Sequence, residues 1–284
     1  MKKRKFLQNI SFFVFRLSAL INGTALAIIV WFMLSRGISA ISWEFLTKAP
    51  FDSMTKGGIF PCIVGTAAFC MVVLIVALPI GVASAIYLNE YAAQGKVVRI
   101  IRLGINNLAG VPSIVFGLFG LAFFCIVLNM GVSIAAGGLT LTIMTLPVII
   151  GTSEEALKSV PDTYREASLG LGATKWQTIY RVVLPAAFPG IITGAILSLS
   201  RAAGETAPIM YTGAVFFTPT LPGSLFDEVM ALPYHIYVLA TAGTNIEATR
   251  HLQYGTALVL IALVFGMNIG AIILRMRIRK KMRI

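Results

Sequence analysis

Arg201 and Glu205 stand one helical turn apart inside an apolar stretch of this 284-residue chain. A lone arginine in hydrocarbon costs about 2.5 to 3.5 kcal/mol, so Arg201 must face a bundle interior and find a partner there. The i, i+4 spacing puts Glu205 on the same helix face. Two roles follow from the residue types. The two side chains neutralise each other and hold helices in register, or Arg201 lines a permeation route and stabilises a multiply charged oxyanion by charge-assisted hydrogen bonds. A fully paired guanidinium offers an anion little net charge. In the second role, therefore, either Glu205 swings away or a partner subunit supplies further basic groups.

No other set of side chains points to covalent chemistry. His235 and His251 have neither an adjacent nucleophile nor paired ligands and read as satisfied surface or interface histidines. Cys62, Cys70 and Cys125 lie in apolar stretches without metal-ligand spacing, as small hydrophobes do. The chain has no G-x-x-x-x-G-K-[ST] run to cradle a nucleotide's phosphates, so any ATP that drives it is hydrolysed in trans.

The elements that carry Arg201 are apolar helices. With 57% hydrophobic and 12% charged residues, the chain holds more apolar surface than a soluble fold of this size hides. Runs at 17–34, 59–88, 108–129, 132–152, 188–210 and 256–274 are each long enough to cross about 30 Å of hydrocarbon. The expected fold is all-α, a polytopic transmembrane bundle of about six spans. The second run exceeds one straight span, and Pro61 and Pro79 predict an interfacial first turn followed by a kink. Met130 and Gly131 mark a tight hairpin between the third and fourth. Arg201, twelve residues past Pro189, is expected about 18 Å along the fifth helix, near the midplane. Gly190, Gly194, Ser198 and Ala202 form a small-residue stripe there, which suggests packing on a helix of a partner subunit.

Charge sets the orientation. The net charge is +12, and with a cytoplasmic N-terminus 18 of the 23 basic residues fall in inner segments. Arg36, Lys48, Lys56 and Arg250 lie outside and Arg201 within a span. This is the positive-inside pattern, with both termini cytoplasmic. Residues 1–16 and 275–284 are then basic cytoplasmic ends flanking a membrane region over 17–274, and they touch anionic membrane lipids. No aromatic interleaving accompanies them, so nucleic acid is not the expected partner. Ala25-Leu26-Ala27 resembles a signal-peptide cut, but Arg16 interrupts the run and hydrophobicity continues to Leu34, so the segment is read as a span.

The longest inner segment, 153–185, reads as short helices. Ser153 is a plausible N-cap, followed by Glu154 and Glu155, and Pro161 ends that helix. A second starts at Asp162 or Thr163, with Glu166 in capping-box register, and runs to Gly170 and Gly172, which force a turn. A third stretch, 174–183, sets Trp176, Ile179 and Val183 in an apolar stripe opposite Lys175 and Arg181, before Pro185 and Pro189 lead into the fifth span. Such a unit either lies on the inner leaflet or docks into a groove on a soluble partner. The outer loop, 211–254, contains Pro219, Pro222 and Pro233 and an apolar stretch over 225–240 suited to a short interfacial helix.

Within that inner segment, Glu166-Ala167-Ser168, three residues, Gly172, nine residues, Val182, one residue, then Leu184-Pro185 resembles the EAA motif of ABC importer permeases. Ser168 replaces the second alanine and Val182 the usual isoleucine, with every spacing preserved. The resemblance implies a type I importer permease whose loop forms a coupling helix on a separate ATPase, with Gly172 permitting the turn and Glu166 facing the ATPase. Three further segments sharpen it. Those at 58–66 (GIFPCIVGT), 111–120 (VPSIVFGLFG) and 200–208 (SRAAGETAP) are similar to PstA-type permease subunits of bacterial phosphate importers. That branch implies a second, PstC-type permease, a PstB-type ATPase dimer using ATP and Mg, and an extracytoplasmic PstS-type phosphate-binding protein docking on 35–58 and the outer loop. Permeases for molybdate or sulfate share the EAA motif, and 201–208 argues against them. A secondary transporter or channel has no need of the docking loop and would show coupling-ion carboxylates or inverted repeats.

Overall fold

In a bilayer each backbone N–H and C=O must be paired within its own segment, so long apolar runs become helices. The computed structural model describes residues 2–52, 54–93, 95–242 and 246–281, most of them in helices. In order these are α1 (Lys2–Gly37), α2 (Trp43–Thr47), α3 (Phe60–Ile86), α4 (Lys96–Ala109), α5 (Ser113–Gly120), α6 (Ile134–Lys158) and α7 (Asp162–Gly170). They continue with α8 (Lys175–Thr178), α9 (Leu184–Gly204), α10 (Ala207–Thr212), α11 (Leu232–Thr241) and α12 (Ile246–Lys281). A small antiparallel hairpin, β1 (Pro50–Phe51) with β2 (Lys56–Gly57), closes the loop before α3. Among the described residues five helices are long and apolar enough to span: Ile10–Ala40, Phe60–Tyr91, Ile134–Lys158, Lys175–Gly204 and Thr249–Arg277. A pair meeting at 102°, Lys96–Ala109 and Ser113–Val127, makes six if counted as one span.

α3, α6 and α9 form the centre. Phe69, Val73 and Ala77 of α3 pack with Leu141, Met144 and Ile149 of α6 and with Ala202. Toward the 153–185 end, Ala85 and Leu88 meet Leu157, Val160, Val183 and Ile191. Lipid tails are as apolar as leucine, so close approach and van der Waals packing hold such helices together. The glycines of α9 provide that approach: a Cβ on Gly190 would lie 2.6 Å from Ala156 Cβ, and one on Gly194 would strike Thr152. The small-residue stripe therefore packs on α6 of the same chain, with Ser198 and Ala202 buried, rather than on a partner subunit. The opposite face of α9, with Thr193, Leu197, Arg201 and Gly204, is exposed, so Arg201 does not face the interior of this chain's own bundle as the sequence predicts. α1 stands apart, touching α12 near its end through Phe32 and Tyr254, whose rings meet edge-on at 5.5 Å.

Several boundaries differ from the sequence reading. The third span starts at Ser113, because Pro112 is extended (ψ 140°) and breaks the helix after Gly110; 96–109 forms the unforeseen α4. α3 continues through Pro79 as one helix. Ser153 is buried inside α6 and caps nothing, since no breaker intervenes before Pro161. Glu154 thus sits in the last turns of α6, where Lys158 (3.2 Å) and Arg102 (3.6 Å) balance it. No capping box forms at Thr163 and Glu166, as Pro161 occupies the N-cap of α7; one forms at Thr174 and Gln177 instead. The 174–183 stretch is the beginning of the fifth span. A π turn, Ile179–Val183, shifts the hydrogen-bond register and lets the helix pass Pro185. That span ends at Gly204, with Glu205 extended (φ −73°, ψ 131°) and Pro208 opening α10.

In the outer loop the expected helix forms only over Leu232–Thr241. Residues 225–231 are non-helical, and the carbonyls of Asp227 and Leu225 accept from Ile134 N and Ala135 N at 3.0 and 2.8 Å, pairing two orphan donors at the start of α6. α11 is buried, with Leu232, Val238 and Leu239 against Phe45, Ile59 and Cys62. His235 is also buried, contrary to the surface reading, and its Nδ1 has no partner; burial pushes its pKa down to about 4. The hairpin around Met130 and Gly131 is present, with Asn129 and Gly131 at positive φ. Of the basic ends, Arg283 and the side chains of Lys2, Lys3, Arg279 and Lys281 lie outside the described residues.

Candidate functional site

The 153–185 segment folds as α7, a turn and α8, projecting from the ends of α6 and α9. Gly172 makes the turn at φ +84°, with open space where a side chain would stand. Ser168 Oγ and Thr178 Oγ1 are 2.9 Å apart and tie α7 back to the start of the fifth span. Glu166 and Ala167 are exposed, and Leu171 at the tip is 90% exposed. The predicted apolar stripe is divided. Ile179 and Val183 are buried in the bundle, whereas Trp176 faces outward and stacks on Tyr180 at 6.1 Å. Tyr164 and Leu169 of α7 are exposed as well. Leu184 and Pro185 are half-buried where the segment enters the bundle.

Arg201 occupies the last turn of α9, and its Nε donates to Glu205 Oε1 at 3.3 Å. The extended backbone of Glu205 folds the carboxylate back toward the helix end, where carbonyls lack intrahelical donors and a cation is favoured. The arginine side chain is 43% exposed and the glutamate 16%. Two polar links fix this part of α9 on α12: Ser200 Oγ to Asn268 Oδ1 at 2.5 Å, and Arg275 to Thr193 Oγ1 at 2.9 Å. Arg201 therefore stands about 12 Å along the helix from the level at which Arg275 is anchored. Arg201 and Glu205 meet each other but no residue of the α7–α8 unit. The two candidate sites lie at different depths of one helix, Lys175–Gly204.

Sequence reasoning missed Glu90 and Arg165, which pair at 2.8 Å between the end of α3 and α7. The two stand 75 positions apart in the sequence, and no local pattern signals their register. A carboxylate closing an otherwise apolar span was the one available signal.

Residues 77–284 match the family described as binding-protein-dependent transport system inner membrane component. The chain belongs to this family. Among its relatives, a probable ABC transporter permease protein, YqgI, of Bacillus subtilis (strain 168) is 33% identical over 290 residues, covering 98% of each chain. The phosphate transport system permease protein PstA of Mycobacterium leprae (strain TN) is 37% identical over 276 residues, covering 94% of this chain and 88% of that protein. A structure described as inward-facing conformations of the MetNI methionine ABC transporter superposes with a TM-score of 0.61 at 21% identity, covering 78% of this chain and 94% of the other. The last similarity concerns the fold alone, which is that of an ABC importer permease. Such permeases are membrane subunits, and ATP hydrolysis belongs to a separate chain.

Proposed function

We propose that this chain is the PstA-type permease subunit of an ATP-driven importer that moves inorganic phosphate inward across the cytoplasmic membrane, with both termini on the cytoplasmic side. The observation that carries the reading is the exposed α7–α8 turn, with Glu166 and Gly172 in the spacing of the EAA motif. It stands on a chain similar over 94% of its length to a phosphate permease. A PstB-type ATPase dimer docks on this turn and consumes ATP with Mg. A PstC-type permease completes the pathway, and a PstS-type binding protein delivers phosphate at the outer loop.

Closure of the ATPases displaces α7, and Ser168–Thr178 and the continuous Lys175–Gly204 helix carry the displacement toward Arg201. Rocking of α3, α6 and α9 then exposes the Arg201 face alternately to each side. There the half-exposed guanidinium stabilises the oxyanion, and Glu205 compensates it when no anion is bound. The reading is tested by phosphate uptake in cells lacking their own high-affinity system, supplied with the partner subunits and either the parent chain or Arg201→Ala at equal membrane abundance. Uptake by the parent and its loss in the variant is the expected result. An assembled parent that takes up molybdate or sulfate but no phosphate would reassign the substrate.

A further inference from the structure

Arg165, on α7, is 17% exposed, yet it makes no contact that would serve an external partner. All five of its N–H donors are used within the chain. Nε and Nη2 donate to Glu90 Oε2 and Oε1 at 3.3 and 2.8 Å, Nη1 to Val160 O at 2.7 Å and Asp162 Oδ1 at 3.1 Å, and Nη2 also to Leu157 O at 3.0 Å. These acceptors belong to three elements. Glu90, only 7% exposed, closes the π turn Tyr87–Tyr91 that continues α3; Leu157 and Val160 end α6 and its linker; Asp162 starts α7. The guanidinium fork thus reaches one carbonyl in the last turn of α6 and one in its linker, and engages both carboxylate oxygens at the end of α3.

We infer that Arg165 and Glu90 form a strap that delivers displacement of the coupling helix α7 to α3 and α6 together, making them positioning residues of the transport cycle. The inference rests on the reading of α7 as the ATPase-docking element. Covalent connection gives α7 to α6 only a short linker, Ser159 to Pro161, and gives it no direct route to α3. A helix pushed at its exposed face would otherwise pivot about that linker. With the strap, α3 and α6 move as α7 moves, and Ser168–Thr178 draws the Lys175–Gly204 span with them. Lysine cannot replace arginine here, because a single ammonium lacks the planar fork that reaches a carboxylate edge and two carbonyls at once.

The test uses the complete importer in proteoliposomes, with ATP hydrolysis and phosphate uptake measured on the same preparation. Arg165→Lys and Glu90→Gln are compared with Asp162→Asn, whose carboxylate is 87% exposed. Glu90→Gln keeps the side chain's shape and one acceptor oxygen, which protects folding. In both strap variants the ATPase copurifies as in the parent, but phosphate moved per ATP falls about tenfold or more, the consequence of losing a charge-assisted pair. Asp162→Asn changes the ratio less than about twofold, as expected for an exposed pair. An unchanged ratio in both strap variants of an intact complex would overturn the inference and leave docking in place. So would loss of the ATPase from Arg165→Lys, since the residue would then serve docking itself. A parent chain that purifies without any ATPase would overturn docking and strap together.

Discussion

Replacing each member of the Arg201–Glu205 pair by glutamine should separate transport from stability. The bond between them is 3.3 Å, with the arginine side chain 43% exposed and the glutamate 16%. Arg201→Gln strands a largely covered carboxylate, a cost of about 1 to 3 kcal/mol for a buried group, taken at about 1 kcal/mol because the pair is partly open. A charge-assisted hydrogen bond to an oxyanion contributes about 1.5 to 3 kcal/mol. Loss of Arg201 therefore predicts uptake reduced roughly 10- to 150-fold, far beyond the effect of that small stability loss. Glu205→Gln leaves a guanidinium on an already exposed face and should keep uptake within about threefold of the parent, a change of under about 1 kcal/mol. The assay is the initial rate of radiolabelled phosphate uptake in membrane vesicles at matched abundance, beside thermal denaturation of the purified complex. Uptake by Arg201→Gln within about threefold of the parent would refute the pathway role. Losses in both variants that track their melting temperatures would refute it equally, returning the pair to structural duty.

Three further outcomes follow from the packing. Gly194→Leu should force α9 off α6 at Thr152, destabilising the complex by about 1 to 3 kcal/mol in thermal melts, whereas Gly204→Leu, with open space around it, should leave the melt unchanged. Gly172→Val meets no neighbour but must hold φ +84°, a strain of about 1 to 2 kcal/mol confined to the turn; copurification of the ATPase should fall while the melting of the membrane bundle does not. His235 has a pKa lowered to about 4 by burial, below the unfolded value of about 6.5. The unfolded chain thus binds the extra proton first as pH falls, and stability drops by about 2 kcal/mol between about pH 7 and 5. His235→Leu should flatten this part of the melting-temperature profile, and an unchanged slope would show that other groups set it.

The spans were legible because length and apolarity suffice in lipid, and the hairpin at Met130 and Gly131 because nothing else fits between two such runs. Caps and breaks were less so. Ser153 looks like an N-cap in isolation, yet α6 continues through it because the bundle buries that turn. Pro112 ends a helix while Pro79 and Pro185 do not, a difference decided by whether neighbouring helices and a π turn absorb the missing N–H. The glycine stripe on α9 was visible, but its partner, α6 or another subunit, depends on the rotation of the helix about its axis, which local spacing does not determine. Among the site residues, Glu166 and Gly172 stand out through their resemblance to the EAA motif, and both lie exposed at the α7–α8 turn. Glu90 and Arg165 escaped because their meeting is a long-range consequence of packing α7 beneath α3.

The central claim is that this permease, with its partners, moves phosphate at the expense of ATP. Proteoliposomes containing the assembled importer, ATP inside and the binding protein outside, should accumulate labelled phosphate, and excess unlabelled phosphate should abolish the uptake while sulfate and molybdate leave it intact. Accumulation without ATP, or uptake suppressed by sulfate or molybdate and indifferent to phosphate, would contradict the account.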